Sequence, residues 1–379
     1  MYFLTAQDPN YIVKGSRDPL GFQVLWQSVG RQLIPNLSTV SSSIIDFQIM
    51  CIASYYKHTY NLEESRYRLL FSRLEILMAF ARFAKDSTLG FNGVDKIRKL
   101  YQESNKELII ADDMQILSNQ RAYGIWGKYN RPFQDCGILE YKGLYALIED
   151  KIKTVPQFKN TMERLLNHTE GKNIHLTKEQ LFNISNIIEK PQEEEHDLFV
   201  NTLLKDNCDN ALQSELARNK ELTKEHLFGF INEMQQNSSH DSLKAMLDKI
   251  KRTEQILCPL NRVFRHLQTK VEWKKTDLVS DSAFVGLNRD IDATGLDVKI
   301  QELYHILKMP NVELVEGLAK RNAEVSQSRR SAPWIKMNDD RLEVNHHEGG
   351  YPLREFNGEE QYDNSYFLYS YLHIHKQLY

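Results

Sequence analysis

The run Tyr123-Gly124-Ile125-Trp126-Gly127-Lys128-Tyr129-Asn130-Arg131-Pro132-Phe133-Gln134-Asp135-Cys136-Gly137-Ile138-Leu139 gathers aromatics, glycines and a proline into one short segment. The rest of the chain reads as polar-faced helices. Glycine and proline punctuate helices, so no single helix is expected to run through the block. Tyr123, Trp126, Tyr129 and Phe133 give it a large apolar payload to bury. The expectation is a turn–helix–turn packed on the helices before it. Pro132 to Cys136 is its short helix and Gly137 the C-terminal cap. Trp126 and Phe133 should be buried against a helix starting near Asp112 and a helix ending near Lys85.

Upstream of the block, Asp18-Pro19 reads as a helix start, with Leu20, Val24 and Leu33 on the apolar face and Pro35 closing it. A second helix is predicted over about Thr39–Tyr56, capped by Ser38, with Ile44, Ile45, Ile52 and Tyr55 as core. Asn61 and Glu64 read as a capping box for a third. That third helix, through Lys85, carries Leu69, Leu70, Phe71, Leu74, Leu77, Met78, Phe80 and Phe83. It is apolar on most sides and therefore central. Val94, Ile97, Leu100 and Tyr101 mark a fourth. Leu108-Ile109-Ile110 reads as a short strand or a buried connection, and Ile138–Tyr141 as a strand. Helix, turn, helix, strand is also the order of a winged-helix module.

Downstream, about Leu144 to Lys275 is almost entirely helical. Thr177 to Gln180 is a capping box, and Thr223-Lys224-Glu225 opens another helix in the same way. The two starts, Leu176–Phe182 and Leu222–Phe228, are near copies at solenoid-like spacing, but two copies do not make an array. Glu193-Glu194-Glu195 suits a helix first turn, and Pro259 should break or kink a long basic helix. Trp334–Met337 and Leu342–Val344 around Asn338-Asp339-Asp340 predict a hairpin. Phe367, Tyr371, Ile374 and Leu378 predict a docked C-terminal helix. The chain is thus expected to be mainly α, a multi-helix assembly with a small mixed C-terminal region. The parts are an N-terminal helical domain over 1–143 ending in a winged-helix-like module, a helical middle domain over 144–275, and a mixed region over 276–379.

The chain has 379 residues, enough for several cores, and its 17 glycines and 10 prolines argue against long linkers. A net charge of −3 gives no global attraction to nucleic acid. No leader-like N-terminus and no membrane-length apolar run are visible, so a cytoplasmic protein without membrane contact is expected. Cys51, Cys136, Cys208 and Cys258 lack metal or redox spacing and read as core residues.

Phosphate-loop, dinucleotide, nucleophile-elbow and zinc-protease motifs are all missing. Asp290-x-Asp292-x-Thr294-Gly295 resembles the start of a calcium loop, but Gln301 stands where a bidentate acid belongs, and a capped turn fits better. His373 and His375 are two apart on a helix and cannot share an ion. His346 and His347 flank Gly349-Gly350 in a loop. No metal or cofactor is expected. The best local signal for nucleic acid is the stretch from Lys320 to Ser331. Lys320, Arg321, Arg329 and Arg330 there suit phosphates or an acidic protein partner.

Three blocks taken together resemble a known group. They are Asp18-Pro19-Leu20-Gly21 through Gly30-Arg31 to Pro35–Thr39, the Tyr123–Leu139 block, and Ala332-Pro333-Trp334-Ile335 with Asn364-Ser365-Tyr366-Phe367. In this order they resemble uncharacterised helical proteins encoded beside helicases and nucleases in prokaryotic phage-defence gene clusters. The blocks span about a fifth of the sequence, and the group has no catalytic motif to carry over. The resemblance implies membership of a multiprotein antiphage complex. With no catalytic motif in view, the chain is expected to be a non-enzymatic scaffold or recognition subunit of it, with a helicase or nuclease among its partners and DNA within reach. The competing readings are a metal-dependent nuclease using His346 and His347, and a stand-alone helical interaction module.

Overall fold

A computed structural model describes residues 17–104, 107–111, 113–167, 173–218, 227–345 and 362–379. The protein is mainly helical, with seventeen α-helices and two small antiparallel sheets among the described residues. It divides into two compact units, each assembled from two stretches of chain. Unit 1 is Met1–Leu33 with Ser214–Tyr366; unit 2 is Ile34–Gln213 with Phe367–Tyr379.

Unit 1 is built on one long helix. It contains α1 (Phe22–Leu33), α12 (Leu227–Asn237), α13 (Asp241–Leu267), α14 (Lys275–Leu278), α15 (Val298–Lys308) and α16 (Asn311–Ser328). Helix α13 packs against α1, α12, α15 and α16, and its apolar face, including Leu247, Ile250, Leu257 and Phe264, is buried. The helix runs through Pro259 without a break, and that proline is buried with its neighbours. The hairpin expected from sequence is present as β4 (Ile335–Met337) and β5 (Arg341–Val344), paired Ile335 to Val344 and Met337 to Leu342. A third strand, β3 (Glu272–Lys274), pairs on the other side of β5 and gives the order β3-β5-β4. Alternation puts Trp273 and Leu342 on the buried face.

Asp18 caps α1 as expected, accepting from the amides of Phe22 (2.9 Å) and Gln23 (3.2 Å). The helix begins at Phe22 rather than Pro19, because the turn through Gly21 intervenes. That register points Val24 to solvent, at 64% exposure, instead of into the core.

Unit 2 holds α2 (Ile44–Thr59), α3 (Glu64–Lys85), α4 (Val94–Glu103), α5 (Gln120–Tyr123), α6 (Ile125–Asp135), α7 (Leu144–Thr154), α8 (Pro156–Leu166), α9 (Lys178–Ile184), α10 (Glu193–Leu203) and α17 (Leu368–Leu378). Helix α11 (Ala211–Arg218) spans the boundary. As its all-round apolarity predicts, α3 is the hub, packed by α2, α4, α8 and α9. Strands β1 (Glu107–Ile110) and β2 (Ile174–Thr177) pair antiparallel, with Leu108 opposite Leu176. The capping box of α9 forms: Thr177 Oγ1 accepts from the Gln180 amide (3.1 Å) and Gln180 Oε1 from the Thr177 amide (2.9 Å).

Four local expectations are corrected. Helix α2 starts at Ile44, capped by Ser43, because Ser38 and Ser41 close a separate turn on each other. Asn61 makes no capping box with Glu64. It takes a left-handed conformation (φ 44°) after α2, where the Leu62 amide bonds Lys57 O, a role asparagine tolerates better than most residues. Ile138–Glu140 is a 3-10 turn rather than a strand, so no wing strand follows α6 there. Asp112 lies outside the described residues; no helix covers 113–119, and the next one starts at Gln120 under an Asn119 cap.

Candidate functional site

The aromatic block contributes Trp126 to the wall of a cleft in unit 2. Its helix is longer than expected, for α6 runs from Ile125 to Asp135 through both Gly127 and Pro132. The two glycines are explained by close approach. A Cβ on Gly124 would sit 2.5 Å from Glu75 Oε1, and one on Gly127 would sit 2.2 Å from the Ala122 carbonyl oxygen. Any side chain at either position would push α6 away from α3 and α5. Glycine here seats the start of α6 and thereby places Trp126.

The block's four aromatics take different roles. Tyr129 and Phe133 are buried, with Tyr129 edge-on to Phe47 and its hydroxyl accepting from the Ser43 amide (3.0 Å). Tyr123 is exposed at 52%. Trp126 is only half-buried. Tyr67 and Phe71 of α3 meet it at centroid distances of 5.5 and 5.2 Å in edge-to-face geometry. It also lines a cleft of about 400 Å³ between α3 and α5, with Arg68, Phe71, Ser72, Glu75, Gln120 and Arg121 around it.

Glu75 stands at the floor. It is 5% exposed, and its Oε1 accepts the Ile125 amide at 2.7 Å, which caps the N-terminus of α6 with a carboxylate. Burial pushes its pKa above the ordinary glutamate value, against the bonds from Gln120 and Ile125 that favour the charged form. Gln120 fixes the neighbouring turn by accepting the Ile116 amide (3.1 Å). Glu75 also faces a second cavity of about 210 Å³, lined by Ser43, Asp46, Arg82, Phe91 and Tyr129. There Arg82 pairs with Asp46, both largely buried, and its guanidinium lies over the Phe91 ring.

The basic stretch of unit 1 is largely helical. Lys320 and Arg321 belong to α16, and only Arg329 and Arg330 follow it. Two of the four cations serve the fold. Arg321 Nε donates to Leu20 O (3.0 Å), and Arg329 binds the Asp18 carboxylate (2.9 Å) and backbone, holding the turn before α1. Asn322 joins them, donating to Pro19 O and accepting the Trp334 amide. Lys320 and Arg330 are exposed, and Arg330 has a left-handed φ of 54°. His346 and His347 lie outside the described residues, and no group of three metal-ligating side chains occurs among the described ones. His373 is exposed and His375 buried, as their spacing on α17 requires. All four cysteines are buried, and Asp292 caps the turn at Thr294 (2.9 Å).

Reasoning from sequence missed Glu75, Arg82, Gln120 and Arg121. A signal for the first two was present: acids and arginines placed inside a helix that is otherwise apolar all round have to meet partners or a cavity. Gln120 and Arg121 carried no such signal, since they belong to a single turn whose packing is tertiary. No described helix is long and apolar enough to cross a membrane. The chain matches no protein-family model, no curated protein and no solved structure.

Proposed function

We propose that this chain is a non-enzymatic recognition subunit of a multiprotein prokaryotic antiphage assembly, and that the Trp126 cleft is where it recognises its target. The observation that carries this reading is the cleft itself. Its size falls within the range of small-molecule sites. Its lining combines an indole, two guanidiniums, a buried carboxylate and several amide and hydroxyl groups, the chemistry of selective binding. One oxygen of the single acid at its floor, Glu75 Oε1, already caps α6. The resemblance of the three sequence blocks supports the setting, with protein partners such as a helicase or nuclease. The exposed Lys320 and Arg330 suit an auxiliary contact to DNA phosphates or to an acidic partner.

The test combines phage challenge with co-purification. In cells carrying the whole gene cluster, the tagged chain should co-purify with its cluster-encoded neighbours. Arg121→Glu, an exposed change in the cleft, should leave the fold intact and abolish protection. If deleting the chain leaves protection unchanged, or if no neighbour co-purifies, the reading fails. Divalent-metal-dependent cleavage of DNA or RNA by the purified chain would replace it with the nuclease alternative.

A further inference from the structure

Resting on the recognition reading, we infer that the Trp126 cleft binds a nucleotide, its base stacked against the indole and its phosphate held by Arg121 and Arg68. The shared chemistry is a planar heterocycle carrying a phosphate, whether free or at the end of a nucleic-acid strand.

Three observations converge. The first is the stacking wall. Tyr67 and Phe71 set the Trp126 ring edge-on at 68° and 78° and fix its orientation, while the residue stays partly exposed beside the cavity. An indole held in place is a strong platform for a flat ring of any base. The second is the charge. Arg121 on α5 is exposed and makes no ion pair with any described residue. Arg68 on α3 binds Glu64 (2.8 Å) across a half-exposed pair. Such a surface pair is worth little, so the guanidinium can turn to an incoming phosphate. The third is the rest of the lining, where the second oxygen of Glu75 offers an acceptor and Gln120 Nε2 a donor. That pair suits a base edge carrying both an N–H and an acceptor.

The competing ligand chemistries each leave part of the lining unmatched. An apolar ligand would bury the Arg121 guanidinium with nothing to neutralise it and would leave Arg68 unused. A ringless dianion would leave Trp126 unused and would lie near the Glu75 carboxylate. A peptide with basic side chains would meet the two arginines. A nucleotide matches ring to indole, phosphate to guanidinium and base edge to the floor.

The experiment uses the full chain and follows binding by calorimetry and tryptophan fluorescence. The probes are AMP, GMP, CMP and UMP, with adenosine and inorganic phosphate as half-ligands, and a short terminally phosphorylated single strand of DNA. At least one nucleotide or the strand should bind saturably, with each half-ligand weaker by roughly tenfold or more. Tighter binding of the free nucleotide identifies a mononucleotide site, and tighter binding of the strand identifies a strand-end site. Arg121→Glu and Trp126→Leu should each weaken binding by about tenfold. Because Trp126→Leu also removes contacts to α3, Arg121→Glu is the variant that decides. Absence of saturable binding, or equal binding by wild type and Arg121→Glu, overturns the inference. Should no nucleotide bind while Arg121→Glu still abolishes protection, the ligand class is wrong and the recognition reading stands. Should nucleotide bind in the cleft while Arg121→Glu leaves protection intact, the site stands and the recognition role falls.

Discussion

Glu254 offers a test in which pH does the work. It lies within α13 at 1% exposure. Its carboxylate accepts from the Tyr366 hydroxyl (2.6 Å), from Asn364 Nδ2 (3.0 Å) and from the amides of Asp363 and Asn364. Burial nonetheless dominates and lifts its pKa from 4.5 to about 7, although those bonds pull the other way. The folded state therefore favours the protonated form. Its stabilisation is complete below about pH 4.5 and is lost as pH rises through about 7, which amounts to about 3 kcal/mol. Glu254→Gln is neutral throughout. It keeps one acceptor but turns an NH₂ towards donors that then lack a partner, at a cost of about 1–3 kcal/mol. The variant should be the less stable protein near pH 5, and equal to or more stable than wild type near pH 8. Urea unfolding across that range reads this directly, and Trp26, whose ring lies 5.8 Å from that of Tyr366, is a local fluorescence reporter. What matters is the difference between the two proteins, since it cancels every titrating group that Glu254 does not touch. A difference that stays constant with pH, or one that moves in favour of wild type as pH rises, would refute the reasoning.

Further outcomes follow from packing. Phe133→Ala, at a site 3% exposed, should cost about 3–5 kcal/mol, and half-buried Trp126→Ala clearly less; equal losses by calorimetry would contradict the placement of the indole at a cleft. Gly127→Ala must displace the Ala122 carbonyl and should cost about 1–3 kcal/mol, so an unchanged melting temperature would disprove the close approach. Replacing Arg329 and Arg330 together by Ala should lower stability by at most about 1 kcal/mol, since the pair to Asp18 is partly solvated. If these arginines also meet DNA, the same variant should flatten the salt dependence of binding by about one to two units; loss of a protein partner with DNA affinity unchanged would assign them to that partner instead.

The sequence made the elements legible where one periodicity governed many residues. The all-round apolarity of α3, the stripe of α17, the hairpin of β4 and β5 and the capping box at Thr177 all form. It misled where a local rule competed with packing. Pro132 and Pro259 stand inside helices because neighbouring burial outweighs the lost backbone bond. The apolar run Ile138-Leu139 became a 3-10 turn once Gly137 turned the chain. Strand β3 has only three residues and, unlike β4, no turn and partner segment beside it in sequence to announce it. At the candidate site, the block containing Trp126 stood out from composition alone. Its partners did not, because Glu75 and Arg121 are far from it or ordinary beside it in sequence, and only the close approach set by Gly124 and Gly127 brings them together.

The second stretch of unit 2 has a consequence for how the protein is made. Helix α17 completes that unit through bonds reaching far back along the chain. Ser370 donates to Ser38 O, Gln377 accepts the Ile44 amide, and the Tyr371 hydroxyl donates to Leu204 O. The first of these spans 332 residues. During synthesis, residues 34–213 leave the ribosome with the seat of α17 empty, and they wait while the whole of Ser214–Tyr366 is translated. At about 5–20 residues per second, that wait lasts on the order of ten seconds or more. Until α17 arrives, the apolar surface that it covers stays open on the nascent chain.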